Sequence, residues 1–207
     1  MALTTYSELQ DSIADFLNRT DVTSQIKDFI RLAEVGMERD IRHWQMEKRA
    51  TANLDTQYSL LPNDFREPIR LIIPTSEVHT LEQAGPFEIS QRRAEASDTS
   101  GRPELYAILD GSIEVFPTPD TTYTLEILYY KNIDALSATT TNNWLLTNYP
   151  DAYLYGSLIH SAPFLAEDQR IQTWSALYQR AIDAINAESD RGKTSGSGRR
   201  IKIRSYG

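Results

Sequence analysis

The segment 147–168 constrains the fold more than any other part of the chain. Pro150 and Asp151 stand at its start. This pair is typical of a first helical turn, because proline needs no donor there and the carboxylate lies at the positive end of the helix dipole. Leucines then recur at helical spacing: Leu154, Leu158 and Leu165. Other apolar side chains widen this stripe, so we expect a central helix that packs on two or more neighbouring elements.

Three further segments predict helices around it. Thr5 and Glu8 have the spacing of a capping box, and an apolar face follows as far as Asn18. Apolar residues recur at i, i+3 and i+4 from residue 26 to residue 44, which predicts a helix of about 20 residues and about 30 Å. The acidic residues of this second helix, including Glu34 and Glu38, are expected on a solvated face. A last helix is expected from about residue 167 to about residue 189.

The middle of the chain has the alternation that is typical of β-strands. Asp110 and Gly111 join two such segments and predict a type I′ hairpin turn, because both residue types tolerate positive φ. The next alternating segment follows closely, so the last three strands are expected to form a meander. The predicted strands cover residues 46–54, 58–62, 69–73, 87–90, 104–109, 112–116 and 123–130.

Helices at both ends and strands between them predict the α+β class. We expect a helical bundle formed by the N- and C-terminal helices, with a central antiparallel β insertion and an extended C-terminal arm. The expected domain boundaries are 1–45 and 148–190 for the bundle, 46–147 for the β insertion, and 191–207 for the arm.

Composition excludes several classes of site. The 207 residues include no cysteine, so disulfides, thiolate zinc sites and cysteine nucleophiles are ruled out. No apolar run approaches the roughly 20 residues of a membrane-spanning helix. The first residues lack the basic and apolar regions of a signal peptide, so we expect synthesis in the cytoplasm and no membrane partner.

Charge is divided unevenly along the sequence. The net charge is −8, but residues 191–207 hold six basic side chains and no acidic one. The other 190 residues therefore hold 15 basic and 29 acidic side chains, a net charge of −14. Because phosphate binding needs cations, an acidic body argues against a surface that grips DNA. A basic terminal segment is instead typical of an arm that docks on another molecule.

The C-terminal arm, residues 191–207, is the candidate interaction site. Ile201 and Ile203 would lie on one side of a strand, and basic side chains would lie on the other. Such a segment can add to the sheet edge of a neighbour. A disordered tail and nonspecific DNA contact are the alternatives. The predicted interface residues are Arg199, Arg200, Ile201, Lys202, Ile203, Arg204 and Tyr206.

No pattern in the sequence predicts catalysis. Gly192, Lys193 and Thr194 resemble the end of a phosphate-binding loop, but Ala187 stands where its first glycine should be and the segment follows a helix. The three histidines are far apart, without metal-ligand spacing. We therefore expect no enzyme activity, no cofactor and no metal site. A hydrolase would need converging carboxylates that no spacing here indicates.

Aromatic residues of the β insertion leave a second function class open, that of a binding module. Tyr123, Tyr129 and Tyr130 of the β insertion could stack on bases or bind a small ligand. In that case the chain would be a nucleic-acid or small-ligand binding module, and it would be a monomer with measurable affinity for an oligonucleotide.

With its segments in order, the chain resembles the head-to-tail adaptor proteins of tailed bacteriophages, also called connector or tail tubular proteins. The similarity covers nearly all of residues 1–190. It depends on the order of the elements and on the basic arm, since each motif alone is structural. The motifs are Tyr6 with residues 29–34 (FIRLAE), residues 61–65 (LPNDF), 109–111 (LDG), 117–120 (PTPD), 128–130 (LYY), 143–146 (NWLL) and 149–151 (YPD).

The resemblance implies a structural virion protein at the head-tail interface. Members of this family form a ring, usually of twelve copies, beneath the portal protein, and a tail or nozzle protein follows. The genome passes through the ring without specific binding. The C-terminal arm embraces a neighbour or the portal, and no catalytic residue is implied.

Overall fold

A computed structural model describes residues 3–19, 21–75, 78–96, 99–164 and 170–195 of the chain. Its contacts divide the chain into two compact units. The helical unit comprises Met1–Gln45 and Ile133–Gly207, and the β unit comprises Met46–Asn132. The expectation that the bundle, the β insertion and the arm are separate domains stays a prediction.

The helical unit is built around one central helix. The helices of this unit are α1 (Tyr6–Leu17), α2 (Ile26–Asp40), α4 (Trp144–Asn148), α5 (Pro150–His160) and α6 (Arg170–Thr194), with 3₁₀ turns at Trp44–Met46 and Ala162–Phe164. Helix α5 contacts α1, α2, α4 and α6. It buries Tyr153, Leu154 and Leu158 among them, which confirms the predicted central helix with several neighbours.

The capping box at Thr5 and the proline at position 150 correctly predicted the starts of α1 and α5. The Thr5 hydroxyl accepts from the Glu8 N–H at 3.3 Å, and the Glu8 carboxylate accepts from the Thr5 N–H at 3.0 Å, so the capping box is formed. Pro150 begins α5, as predicted. The expected helix ends were less accurate. Helix α2 stops at Asp40 because Ile41 is extended, and α5 stops at His160, ahead of Pro163. Leu165 lies outside the described residues.

Over its described residues, the β unit contains two four-stranded sheets. The strands are β1 (Glu47–Leu54), β2 (Tyr58–Leu60), β3 (Phe65–Pro74), β4 (Val78–Thr80), β5 (Glu82–Gln83), β6 (Leu105–Leu109), β7 (Ser112–Phe116) and β8 (Tyr123–Lys131). One sheet has the order β1-β8-β3-β4 and the other the order β2-β7-β6-β5. Apolar residues of both sheets form one core, including Leu71, Ile113, Leu125 and Tyr129.

The predicted hairpin is confirmed, but the predicted meander is wrong. Strands β6 and β7 pair antiparallel, and the turn between them places Asp110 at φ 41° and Gly111 at φ 72°, as a type I′ turn requires. Strand β8 does not pair with β7. It pairs with β1 and β3 in the other sheet, because residues 117–122 carry the chain across from one sheet to the other.

One segment of the β unit differs from expectation in type. Residues 87–90 were predicted as a strand, but they lie in α3 (Pro86–Glu95), which begins with proline at its first turn and buries Ile89. Helix α3 lies between β5 and β6 in the chain, and these two strands pair in parallel. Parallel neighbours need such a crossover.

These findings correct the expected architecture. The chain is α+β, but it is not a helical bundle with a single antiparallel β insertion, because the β unit has two sheets, a helix of its own and one parallel pair. Helix α6 continues to Thr194, so the first residues of the C-terminal arm are helical.

Candidate protein-interaction surfaces

The start of the C-terminal arm lies beside an exposed tryptophan. Gly192, in the last turn of α6, lies so close to Trp44 that a Cβ atom there would be 3.4 Å from the indole Cδ1 and Nε1 atoms. Trp44 is nonetheless 49 % exposed. It lines a cavity of about 730 Å³ together with Glu188, Arg191 and Lys193. An aromatic floor with charged residues at its edge is typical of a protein-binding surface.

Hydrogen bonds fix this end of α6 to the segment that follows α2. The Ser189 hydroxyl accepts from the Trp44 N–H at 3.1 Å. The Asn186 side chain accepts from the Arg42 N–H at 3.0 Å and donates to the Asp40 carbonyl at 2.9 Å. These bonds hold α6 at Asn186 and Ser189 to the segment 40–44.

An aromatic cluster packs against the segment that follows α2. His43 is buried and stacks on Trp144 with 5.0 Å between ring centroids and 17° between ring planes. Tyr149 contacts both rings edge-on. His43 therefore lies three residues beyond the end of α2, in an aromatic cluster. His160 is half-buried, and burial lowers its pKa.

A buried carboxylate organises the interior of the helical unit. Glu34 is 1 % exposed, so the expectation that it lies on a solvated face is wrong. Its Oε1 atom accepts from the Leu136 N–H at 2.7 Å and from the Tyr153 hydroxyl at 3.2 Å. Arg31 donates to Oε2 at 3.3 Å. Burial raises the pKa of Glu34, and the bonds from Leu136, Arg31 and Tyr153 oppose that effect.

In the β unit, the edge strand β2 presents apolar side chains to solvent. Leu60 is 84 % exposed and Tyr58 is 54 % exposed. β2 pairs with β7 on one side, and in the described part of the chain no strand pairs with its other side. Unpaired edges of this kind are templates for strand addition by another chain.

A narrow apolar slot runs beside this edge. It has a volume of about 180 Å³ and lies between β1 and β2, the edge strands of the two sheets. Small side chains of β1, Ala50 and Ala52, leave the space. Core residues form its floor: Ile113, Leu125 and Ile127. The interior of the β unit is therefore reachable from outside along β2.

Helix α3 covers the outer face of the sheet that contains β2. Ile89 packs on Leu105, Ala107 and Phe116. Arg93 donates to the Val115 carbonyl at 3.0 Å, and its guanidinium lies 5.4 Å from the centroid of the Phe116 ring. Phe87 at the start of α3 is 81 % exposed, which gives the β unit a second apolar point on its surface.

The residues that the sequence predicted for the interface are outside the part of the chain that the structure describes. These residues run from Arg199 to Tyr206. The surfaces around Trp44 and along β2 were not predicted. An isolated tryptophan after a helix and a three-residue strand before Pro62 carry weak sequence signals, because exposure depends on long-range packing.

Tyr129, one of the three aromatic residues of the binding-module hypothesis, is not available for base stacking. Tyr129 is fully buried, and its hydroxyl donates to Asp64 at 2.7 Å. Tyr123 donates to Asp120 at 2.7 Å. Base stacking needs exposed ring faces, and the buried Tyr129 ring offers none.

Over the ranges given above, no group of three or more acidic or histidine side chains is arranged to hold a metal ion. None of the helices in those ranges combines the length and the apolar character that crossing a bilayer requires.

Exposed apolar side chains, an open sheet edge and a basic terminal arm are features of proteins that assemble with other proteins. A family comparison makes this class specific. The model of the SU10 adaptor protein family matches residues 4–201, and the chain belongs to that family. A comparison with curated proteins found no match. The family match confirms the resemblance to phage head-to-tail adaptors and assigns the chain a structural role in the virion.

Proposed function

We propose that this protein is the head-to-tail adaptor that forms a ring below the portal and lets the genome pass through. The observation that carries the proposal is the family match, which spans residues 4–201 and so includes both compact units. The partners are further copies of the chain, usually twelve in a ring, the portal protein, and a tail or nozzle protein. The protein acts without catalysis or a cofactor.

Charge supports passage of DNA without retention. The residues before the arm carry a net charge of −14. Contacts that hold DNA are cationic, so a lumen formed by an acidic body repels the phosphates and does not hold the duplex. The cations of the arm are set apart from that body in the sequence, where they serve protein contacts.

The arm supports assembly into a ring. Head-to-tail contacts close into rings when the rotation between copies allows it, and each copy then needs one surface that reaches out and another that receives. We assign the first role to Arg199, Arg200, Ile201, Lys202, Ile203, Arg204 and Tyr206. The helical unit and the β unit, as separate domains, supply the second role.

Truncation of the arm tests this function. Because α6 continues to Thr194, a stop after Ser195 removes the arm beyond the helix and leaves the described structure whole. A matched full-length variant replaces Arg199, Arg200, Lys202 and Arg204 with glutamine. Sedimentation velocity with purified portal rings measures association. We expect the full chain to co-sediment with portal rings and both variants to lose most of this association.

Circular dichroism is the control, since both variants should keep the helical content of the full chain up to Ser195. Equal association of the truncated and full chains would refute the role of the arm. If the full chain does not co-sediment with portal rings, stays monomeric and binds an oligonucleotide, the adaptor proposal is refuted and the binding module is favoured.

A further inference from the structure

We propose that the outer edge of β2 accepts residues 200–204 of a second copy of this chain as an added strand. The inference rests on the proposed ring, and it assigns the receiving surface of the contact between copies. Five observations support it: the unpaired edge of β2, the apolar slot beside it, the acidic residues around β2, the alternating pattern of the arm, and the basic residues on β1, the other edge strand at the slot.

The main-chain groups on this edge point outwards. The Val115 N–H donates to the Gln57 carbonyl at 2.9 Å, and the Leu61 N–H donates to the Gly111 carbonyl at 3.0 Å. Residues 57, 59 and 61 therefore face β7. Because the direction of main-chain groups alternates along a strand, the main-chain groups of Tyr58 and Leu60 face away from β7. The Tyr58 carbonyl accepts from the Thr56 hydroxyl at 2.7 Å and keeps a second lone pair for an added strand.

The slot beside the edge fits an alternating segment. Ser59 pairs with Ile113 on the inner face of the sheet, and Leu60 pairs with Ser112 on the outer face. A strand added beside β2 would place every second side chain inward, where the slot of about 180 Å³ is floored by Ile113 and Leu125. The intervening side chains would lie outward beside Tyr58 and Leu60.

The arm has this alternation. Ile201 and Ile203 would enter the slot, and Arg200, Lys202 and Arg204 would lie outward. There an arginine can lie over the exposed Tyr58 ring. Arg200 follows Ser195 by five residues, and an extended chain of that length spans about 17 Å.

Local charge favours β2 as the acceptor. The segments 55–62 and 109–116, which form β2, β7 and their flanks, contain Asp55, Asp110 and Glu114 and no lysine or arginine. Arg93 lies 3.4 Å from Glu114, while Asp55 and Asp110 are exposed at the two ends of β2. The cations of the arm would therefore meet acidic groups there.

The edge strand across the slot is a poorer acceptor. β1 carries Lys48 and Arg49, which bind Asp64 at 2.7 Å and Glu126 at 3.4 Å respectively. With Glu47, these side chains give β1 a net charge of +1, so an added strand that bears cations gains less there than beside β2, which has no lysine or arginine. The same slot therefore offers one electrostatically suitable edge.

Cysteine cross-linking in the full chain tests the inference, because the natural sequence contains no cysteine. One preparation carries Ser59→Cys and another carries Ile203→Cys. The two are mixed, assembled on portal rings and treated with a short bis-maleimide. We expect a covalent dimer between the two variants. Sedimentation of the same sample reports assembly separately.

Two matched controls define specificity. Lys202→Cys tests the alternation, because residue 202 would point away from the slot. Val78→Cys tests the choice of edge, because Val78 is 66 % exposed and lies on β4, an edge strand of the other sheet. Each should replace its counterpart in the mixture and give a several-fold lower yield of cross-linked dimer. Equal yields with either control would overturn the proposed register or the proposed edge.

The remaining outcomes separate this inference from the proposed function. Assembly on the portal without a cross-link overturns the β2 contact and leaves the adaptor function standing. A cross-link that forms only within a chain carrying both Ser59→Cys and Ile203→Cys shows that the arm binds its own copy, and it also overturns the inference. Failure to assemble and to cross-link refutes both.

Discussion

At the scale of single residues, the buried carboxylate of Glu34 connects several elements of the helical unit by hydrogen bonds. Its carboxylate ties α2 to the Leu136 N–H and to Tyr153 of α5. The Tyr153 hydroxyl in turn accepts from Asn143 at 2.6 Å, and the Asn143 side chain caps α4 by accepting from the Leu146 N–H at 2.8 Å. One buried acid therefore connects three helices and the segment that leads into them.

Replacing Glu34 separates hydrogen bonding from charge. Glu34→Ala leaves the buried Leu136 N–H without an acceptor, which should lower the free energy of unfolding by about 1–3 kcal/mol. Glu34→Gln keeps a carbonyl oxygen for Leu136 and Tyr153, so its loss should be smaller. Urea denaturation of the three proteins measures this. Equal losses for alanine and glutamine would contradict the hydrogen-bond account.

The pH dependence of the same variants has a definite sign. Burial raises the pKa of Glu34 in the folded chain, so the folded chain holds this proton to higher pH than the unfolded chain does. Stability from this group is therefore complete below the unfolded pKa of about 4.3 and falls as pH rises through the folded value. The free energy of unfolding of the natural chain minus that of Glu34→Gln should fall across this window, and a rise would contradict it.

Two helical glycines near Tyr178 predict opposite effects. A Cβ at Gly156 would lie 3.1 Å from Tyr178 Cε2 and 3.3 Å from Ala33 Cβ, whereas a Cβ at Gly36 would lie 3.6 Å from the Tyr178 hydroxyl. Gly156→Ala should destabilise by about 1 kcal/mol, because overpacking exceeds the gain in helix propensity. Gly36→Ala should stabilise by about 0.5–1 kcal/mol. Thermal denaturation compares them, and stabilisation by both would show that α5 can move away from its neighbours.

At the scale of elements, the β6–β7 hairpin depends on its turn. Nothing lies within 4 Å of a Cβ built on Gly111, so a substitution there acts through the backbone alone. At φ 72°, Gly111→Ala should cost about 1–2 kcal/mol. Asp110→Asn should be nearly neutral, because asparagine tolerates the same conformation. Chemical denaturation checks both, and a neutral Gly111→Ala would contradict the type I′ assignment.

Elements set by neighbouring residues could be predicted from the sequence, and those set by distant ones could not. The capping box at Thr5, the start of α5 at Pro150 and the turn at Asp110 depend on a few adjacent residues. The choice of β8 to pair with β1 and β3, and the parallel pair of β5 and β6, depend on contacts across the β unit. Local alternation cannot encode those partners.

Some of the missed features had a readable signal. Glu34 lies four residues after Ile30 and three before Met37, so helical spacing places it on the apolar stripe of α2 and not on its charged face. Helix α3 was missed because apolar residues are few in it, although Gly85 and Pro86 mark its start. The exposed surfaces at Trp44 and β2 had no comparable signal, since exposure is decided by what the rest of the chain covers.

At the scale of the whole molecule, charge is divided between residues 1–190 and the C-terminal arm. The body folds on apolar cores of its own and carries the negative charge, while the arm carries cations and few apolar side chains. Association through such an arm should weaken as salt rises, because screening reduces attraction between exposed charges. The acidic body should not bind duplex DNA at any of these salt concentrations.

The mass of the complex with the portal tests the central claim most directly. Mass photometry of portal rings before and after addition of the full chain gives the number of 23.6 kDa copies bound per ring. The adaptor account predicts one sharp increment that corresponds to a closed ring, usually of twelve copies, and its loss on truncation after Ser195. A broad distribution of increments, or portal rings whose mass does not change, would contradict it.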